Sequence, residues 1–441
     1  MKLSGWGRYP ALDAKVRAPR DNVDVQRLVV SEPTLIARGY GRAYGDSAIN
    51  ISCTLDMRKQ NRMLGFDSTS GQLVVEAGVS LAEIIATFLP RGWFLKITPG
   101  TKFVSIGGAI AADVHGKNHH KHGSFRSCVD WVELMGRDGR LCRCSPWEDP
   151  QLFDNTLGGM GLTGPILRAA ISLRPVESGW IRQTTIAAPN LAATMRQLEG
   201  AQDATYSVAW IDCLGSGSRL GRSLIMLGEH ATRLELPEDA AQAPFKTKTR
   251  SMLPAPAGVA ALVLNKLNVR AFNALYYRAG VRDAGVRLVD WDRYFYPLDC
   301  LRDWNMIYGR RGFCQFQCVL PLDHSEDGLS ALLDEIVRAR AGSFLAVLKK
   351  LGKQDSAFSF PMEGYTLALD FPVNERTLNL LNQLDRITLA HNGRFYLAKD
   401  SRMTAETLHA SDVRLGAFKS LRDSRGFTGH FRSAQSDRLA L

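Results

Sequence analysis

Two glycine-rich segments constrain this chain more than anything else in it. They are Ala37-Arg-Gly-Tyr-Gly-Arg-Ala-Tyr-Gly-Asp46, and Thr98-Pro-Gly-Thr101 running on into Gly107-Gly-Ala-Ile-Ala-Ala-Asp-Val-His-Gly-Lys-Asn-His-His120. Each follows a short apolar run, 34–37 and 93–97, and so reads as a strand emptying into a loop. Glycines in such loops let main-chain N–H groups converge on an anion. Two of them predict a pyrophosphate held from two sides; ordinary tight turns are the alternative. A Rossmann site is excluded, because Gly39-x-Gly41 needs a third glycine where Tyr44 stands, and no helical pattern opens behind it. A Walker A loop is excluded because no Gly-Lys-Ser/Thr follows a glycine at the right spacing.

Periodicity predicts an α+β chain. Over 28–173, β-rich runs at 34–37, 72–76, 131–135 and 166–173 alternate with helical stretches such as 80–88. Beyond Pro175 the pattern predicts a helix over 190–200, strands over 206–212 and 223–227, and a polar, Pro- and Ala-rich connector over 234–256 that is expected to be mobile. Strands near 314–320, 344–348 and 366–371 with helices over 325–341 and 374–391 complete a second sheet. With 441 residues, 45% of them hydrophobic, the chain can bury more than one core. The boundaries are placed near Ser178 and Arg394: 1–178, 179–393 with a flexible 230–256, and 394–441. No internal repeat is present.

No apolar run approaches the ~18 residues of a membrane span, and Met1–Pro10 has no signal-peptide apolar region, so a cytoplasmic location is expected. The eight cysteines are scattered without a Cys-x-x-Cys pair; Cys142 and Cys144 are expected on one face of a strand. A net charge of +11 arises from Lys and Arg interleaved with Asp and Glu, without a nucleic-acid-binding signature. It suits an anionic lipid surface or a phosphorylated substrate, with simple solvation as the alternative. Along 257–280, Lys266, Arg270 and Arg278 recur on one helical side of an apolar run. That reads either as an interfacial helix on anionic membrane or as a core helix with a solvated basic face. Four imidazoles, His115, His119, His120 and His122, crowd one stretch, but no acid or cysteine ligand lies among them and the glycines favour a loop, so no metal is assigned.

The glycine segments, together with Leu3-Ser-Gly-Trp-Gly-Arg8, Gly158-Gly-Met-Gly-Leu-Thr-Gly164, Gln315-Phe-Gln317 and Tyr396-Leu-Ala-Lys-Asp-Ser-Arg402, resemble the vanillyl-alcohol-oxidase-type (PCMH-type) FAD-binding oxidoreductases. Within these the chain is similar to the decaprenylphosphoryl-β-D-ribose 2-oxidase family. The resemblance spans nearly the whole chain and implies a two-part FAD-binding domain plus a substrate domain with an antiparallel sheet and helices.

It implies cofactor contacts from Arg38, Gly39, Tyr40, Gly41, Arg42, Ala43, Tyr44, Gly45, Asp46, Ser47, Gly100, Ser105, Ile106, Gly107, Gly108, Ala112, Asp113, Val114, His115, Gly116, Asn118, Ile166 and Tyr396. Substrate contacts are implied for Lys117, Trp210, Gln315, Gln317, Lys349, Thr366 and Lys399, with Asp212 nearby. Lys399, His115 and Tyr396 are the catalytic candidates. Tyr396 and Lys399 are three apart, so both reach one site only if the strand ends between them. The FAD is expected to be non-covalent, because the segment from Arg38 to Asp46 has no histidine to tether it. Where the family carries an active-site cysteine, this chain has Ala368, before Leu-Asp-Phe-Pro372.

The activity implied is oxidation of the 2-hydroxyl of a polyprenyl-phosphoryl-β-D-ribose, the first half of an epimerisation that a separate NAD(P)H-dependent keto-reductase completes. Peripheral contact with the inner face of the plasma membrane goes with it. The alternatives are a flavin oxidase of a free sugar, sugar acid or aldonolactone, and a non-catalytic flavin-binding protein.

Overall fold

Two sheet systems organise the chain, described for residues 1–247, 253–254, 266–343 and 345–441 in this computed structural model. In the first, Val16–Arg17, Thr54–Asp56 and Ile36–Arg38 form a small parallel sheet. Beside it Leu141–Cys144, Val129–Met135, Ile166–Pro175, Gln72–Glu76 and Met63–Asp67 lie in that order, antiparallel, with Trp93–Leu95 on the far end of Ile166–Pro175. The helix Leu81–Phe88 opens on a Ser80/Glu83 capping box and buries Leu81, Ile84, Ile85 and Phe88, the three-and-four spacing of an amphipathic helix.

The second system is an eight-stranded antiparallel sheet in the order Gly285–Asp290, Trp180–Ala188, Ser223–His230, Tyr206–Ile211, Ala346–Leu351, Gly364–Pro372, Phe313–Pro321 and Arg394–Phe395. Its period-two alternation divides the labour of each strand. Phe316, Cys318 and Leu320, with Leu367 and Leu369, pack in one core with Leu329, Leu332, Leu333, Leu380 and Leu384 of the helices Leu322–Arg338 and Glu375–Ala390. Each fully buried leucine there contributes about 1.5–3 kcal/mol. The intervening residues Gln315, Gln317 and Ala368 face the first sheet system, across a cavity.

The two halves interlock. Ile181, Tyr206 and Tyr294 to Tyr296 belong to the first core, whereas Ile36, Met160 and Leu162 belong to the second. Both ends of the sequence return to the first glycine loop. The Trp6 and Gly7 amides donate to the carbonyls of Ala43 and Tyr44 at 2.8 and 2.9 Å. Arg438 joins Asp46 (2.8 Å) to Asp400 (2.9 Å).

Several elements differ from the sequence reading. The helix expected over 325–341 is Leu322–Arg338, capped at Pro321, because the strand passes into it without a loop. Trp180–Ala188 and Gly285–Asp290 were not anticipated; in the former the inward positions include Gln183 and Thr185, hydrogen-bonded to each other at 2.9 Å, which blurs the apolar alternation. The connector over 234–256 contains the short helix Glu238–Gln242, and its mobility falls partly on 248–252 and 255–256, outside the described residues. So does 257–265 of the basic apolar run, whose remainder forms the helix Lys266–Arg282.

Candidate active site

Between the two sheet systems lies a cavity of about 450 Å³, within the ~300–1,000 Å³ usual for small-molecule and cofactor sites. The loop after the strand Ile36–Arg38 forms one wall. Gly41 takes a left-handed φ of 63°, and a Cβ on Gly39 would lie 2.0 Å from Ser105 Oγ, so only glycine lets the first loop approach the second so closely. The amides of Gly39 to Ala43, and those of Gly100 and Thr101 opposite, have no acceptor among the described residues, though all seven residues line the cavity. Such runs of convergent N–H groups suit an anion. Arg38 and Arg42 add positive charge, anchored by Arg38 Nη2 donating to Ser4 O (2.7 Å) and by Arg42 lying 4.2 Å over the Trp6 ring.

The sheet forms the opposite wall. Gln315 and Gln317 stand side by side there, with Ala368 paired across from Gln317 and Lys349 on the neighbouring strand. The strand Arg394–Phe395 ends before Tyr396, and the Lys399 amide donates to Tyr396 O at 2.9 Å. This turn brings Tyr396 and Lys399 into the same cavity. The Lys399 ammonium sits 3.8 Å over the Tyr44 ring, and Tyr396 Oη donates to Ala112 O at 3.0 Å.

Burial draws Lys349 down to about 8. It also lowers Lys399, while the Asp370 carboxylate opposes that shift. His115 lies against the stacked rings of Phe360 and Tyr396, with ring centroids 5.5 and 5.1 Å away. Burial, reinforced by Lys349, His119 and Lys399, holds it well below the ordinary imidazole value, hence neutral. Gln317 Nε2 donates to Thr366 Oγ1 (3.2 Å) and stands 3.2 Å from His115 Nε2, while His115 Nδ1 is buried with no hydrogen-bond partner among the described residues.

Of the residues singled out in the sequence, Arg38 to Tyr44, Ser47, Gly100, Ser105, Gly107, Gly108, Ala112, Val114, His115, Ile166, Gln315, Gln317, Lys349, Tyr396 and Lys399 line this cavity. Others support it from behind. Gly45, Ile106 and Gly116 are packed against backbone, Ile106 donating to Val79 O and a Cβ on Gly116 meeting Thr98 O at 2.6 Å. Asp46 is held by Arg438, and Asn118 Nδ2 donates to Lys96 O at 2.8 Å. Asp113 accepts from Ser124, Ser359, Gln354 and the Arg126 amide, which fixes the loop carrying His115.

Four substrate-side candidates are not among the residues that line this cavity. Lys117 turns away from the cavity, because its ammonium donates to Tyr294 O and lies 4.1 Å over that ring. Thr366 is sealed behind Gln317. Trp210 is one strand further out, paired with the cavity-lining Val347 and packed 4.8 Å from Tyr276. Asp212 is committed to Arg222 and Asn273. Conversely, the segment from Leu298 to Trp304 closes one side of the cavity, tied down where Asp299 accepts from the Lys102 amide (2.9 Å) and Thr101 Oγ1 (3.1 Å). No glycine or motif marks it in the sequence. Leu345 and Val347 were legible: they alternate with Lys349.

The sequence model of an FAD binding domain matches residues 14–145. Decaprenylphosphoryl-beta-D-ribose oxidase of Mycolicibacterium smegmatis is 36% identical over an alignment of 450 positions, spanning 100% of this chain and 97% of its own. The chain belongs to the decaprenylphosphoryl-β-D-ribose oxidase family. L-Gulonolactone oxidase of Mus musculus, 30% identical over 135 residues, and cytokinin dehydrogenase 3 of Oryza sativa, 28% identical over 195, cover only 30% and 41% of this chain. As a member of this family the protein is an FAD-dependent oxidoreductase acting on CH–OH groups, with the α+β fold of that class. The amides of Gly39 to Ala43 and of Gly100 and Thr101, without acceptors among the described residues, fit the pyrophosphate of FAD.

Proposed function

We propose that the protein oxidises the 2-hydroxyl of a polyprenyl-phosphoryl-β-D-ribose to the 2-keto sugar. The observation that carries this is the pair of lysines lining one cavity, Lys349 on the sheet wall and Lys399 on the turn beside Tyr44. FAD, when bound, supplies the hydride acceptor. The protein then has to orient a carbinol, receive its proton and balance charge. Lys399, fixed over Tyr44, stabilises negative charge developing in the cavity. His115, neutral and lining the cavity, takes the alcohol proton. Gln315 and Gln317 offer amide groups to the ribose hydroxyls, and Lys349 attracts the phosphate.

The lipid chain extends outside the cavity. Among the described residues no helix is long and apolar enough to cross a membrane. The helix Lys266–Arg282 exposes Leu275 and Val281 beside Arg278 and Arg282, a surface suited to peripheral contact with anionic lipid. An NAD(P)H-dependent keto-reductase would return the product to the arabino configuration.

The test is an absorption spectrum followed by anaerobic titration with a polyprenyl-phosphoryl ribose. Bleaching of the flavin band supports the reading. A band that persists with this lipid but bleaches with a free sugar or aldonolactone replaces the substrate class. Lys399→Ala is expected to stay yellow and lose substrate-dependent bleaching.

A further inference from the structure

Asp370 is not among the residues that line the cavity, and its surroundings are unusual. It lies on the strand Gly364–Pro372, 1% exposed, directly opposite Gln315 and two residues beyond Ala368. Both of those line the cavity, so the period-two pleat aims Asp370 at the same side of the sheet, immediately behind the cavity wall. One carboxylate oxygen accepts from Gln315 Nε2. The other, Oδ2, is buried with no hydrogen-bond partner among the described residues. A buried carboxylate left half-satisfied is expensive unless a nearby charge compensates it.

The titratable groups that act on this region are few. Tyr44 and Tyr308 face it as neutral phenols, each held well above its ordinary value by burial, with the Asp370 charge adding to that. Burial raises Asp370 above the ordinary carboxylate range, the Gln315 hydrogen bond opposes that rise, and among the described residues Lys399 is the one cation that also opposes it. Lys349 acts on Lys399 as a like charge, which makes a counter-charge there more necessary.

We infer that Asp370 is the buried counter-ion of Lys399, a positioning residue that keeps the Lys399 ammonium protonated in the cavity during turnover. The inference rests on the flavin-oxidase reading and assigns the source of the cation that reading requires. The two groups are not in direct ion-pair contact: Lys399 stays over Tyr44, its ammonium still facing the cavity, while Asp370 holds its charge from behind Gln315.

The experiment is the pH dependence of flavin bleaching by substrate in the unmutated holoenzyme and in Asp370→Asn. Removing the negative charge lets Lys399 lose its proton at lower pH, so the limb along which the rate falls with rising pH moves down. The variant is expected to be about tenfold slower than the unmutated protein at the alkaline end and nearly equal to it at the acid end, the signature of a shift of one pKa unit. A deficit of equal size at every pH, or an unmoved limb, overturns the inference while leaving the proposed function intact; failure of the unmutated protein to bleach overturns the function instead. A second measurement needs neither substrate nor the Asn variant. Infrared difference spectra of Lys399→Met against the unmutated protein are expected to show a new protonated-carboxyl band, as Asp370 takes up the proton its partner no longer offsets. The absence of that band overturns the inference.

Discussion

His230 is a residue whose charge the folded chain tolerates poorly. Its ring is caged by Phe94 at 5.2 Å, Tyr206 at 5.8 Å and Phe295 at 6.1 Å, and burial pushes it down to about 3. An unfolded histidine binds its proton near 6.5, so between there and about 3 the unfolded chain holds more protons than the folded one, and stability falls as the pH falls. The slope from this one group reaches ~1.4 kcal/mol per pH unit. Denaturant melts at several pH values are expected to show a shallower acid decline in His230→Phe than in the unmutated protein. Ala368 raises a different question at the same scale. It lines the cavity where the family carries a cysteine, so reagents that act by capturing that thiol are expected to leave this protein unmodified. Time-dependent inactivation, followed by intact mass, is expected only in Ala368→Cys.

At the level of elements, the glycine loops show how a short stretch of chain commits to a ligand before any partner folds around it. Gly39→Ala would drive a Cβ into Ser105 and separate the two loops, and the purified variant is expected to lose its flavin absorbance. Gly65→Ala, with nothing within 4 Å, is the matched control and is expected to stay yellow. These loops were legible because close backbone approach and positive φ demand a residue type that shows in the sequence. The turn from Tyr396 to Lys399 was legible for a similar reason, since the spacing of three required a break in the strand. What the sequence hid were contacts made at a distance. Leu298 to Trp304 joins the cavity through Asp299 reaching Thr101 and Lys102, almost two hundred positions earlier, and through Trp304 packing 5.7 Å from Trp6. The motif around His115 names Lys117 but does not say which way it points, and Tyr294 decides that. Trp180–Ala188 hid because a pair of inward polar residues that bond each other looks, on paper, like a loop.

Across the whole molecule the two sheet systems share their interior rather than merely touching. Tyr206 and Tyr294 to Tyr296 complete the first core, and Ile36, Met160 and Leu162 complete the second. Neither half can lose its packing without exposing apolar surface in the other, so heat is expected to unfold both in one transition, with far-ultraviolet dichroism and flavin fluorescence coinciding. Separated midpoints would contradict this. Arg438→Gln is expected to destabilise by roughly 2–3 kcal/mol and to weaken flavin retention, because Asp46 and Asp400 then face each other without their cation; the 25% exposure of the Arg438 side chain keeps this below the ~3–5 kcal/mol of a fully buried pair. The same clamp governs timing. The first glycine loop leaves the ribosome nearly four hundred residues before the arginine that fastens Asp46, so throughout synthesis the nascent chain carries a half-built nest, and the cofactor can be locked in only after translation has passed Arg438.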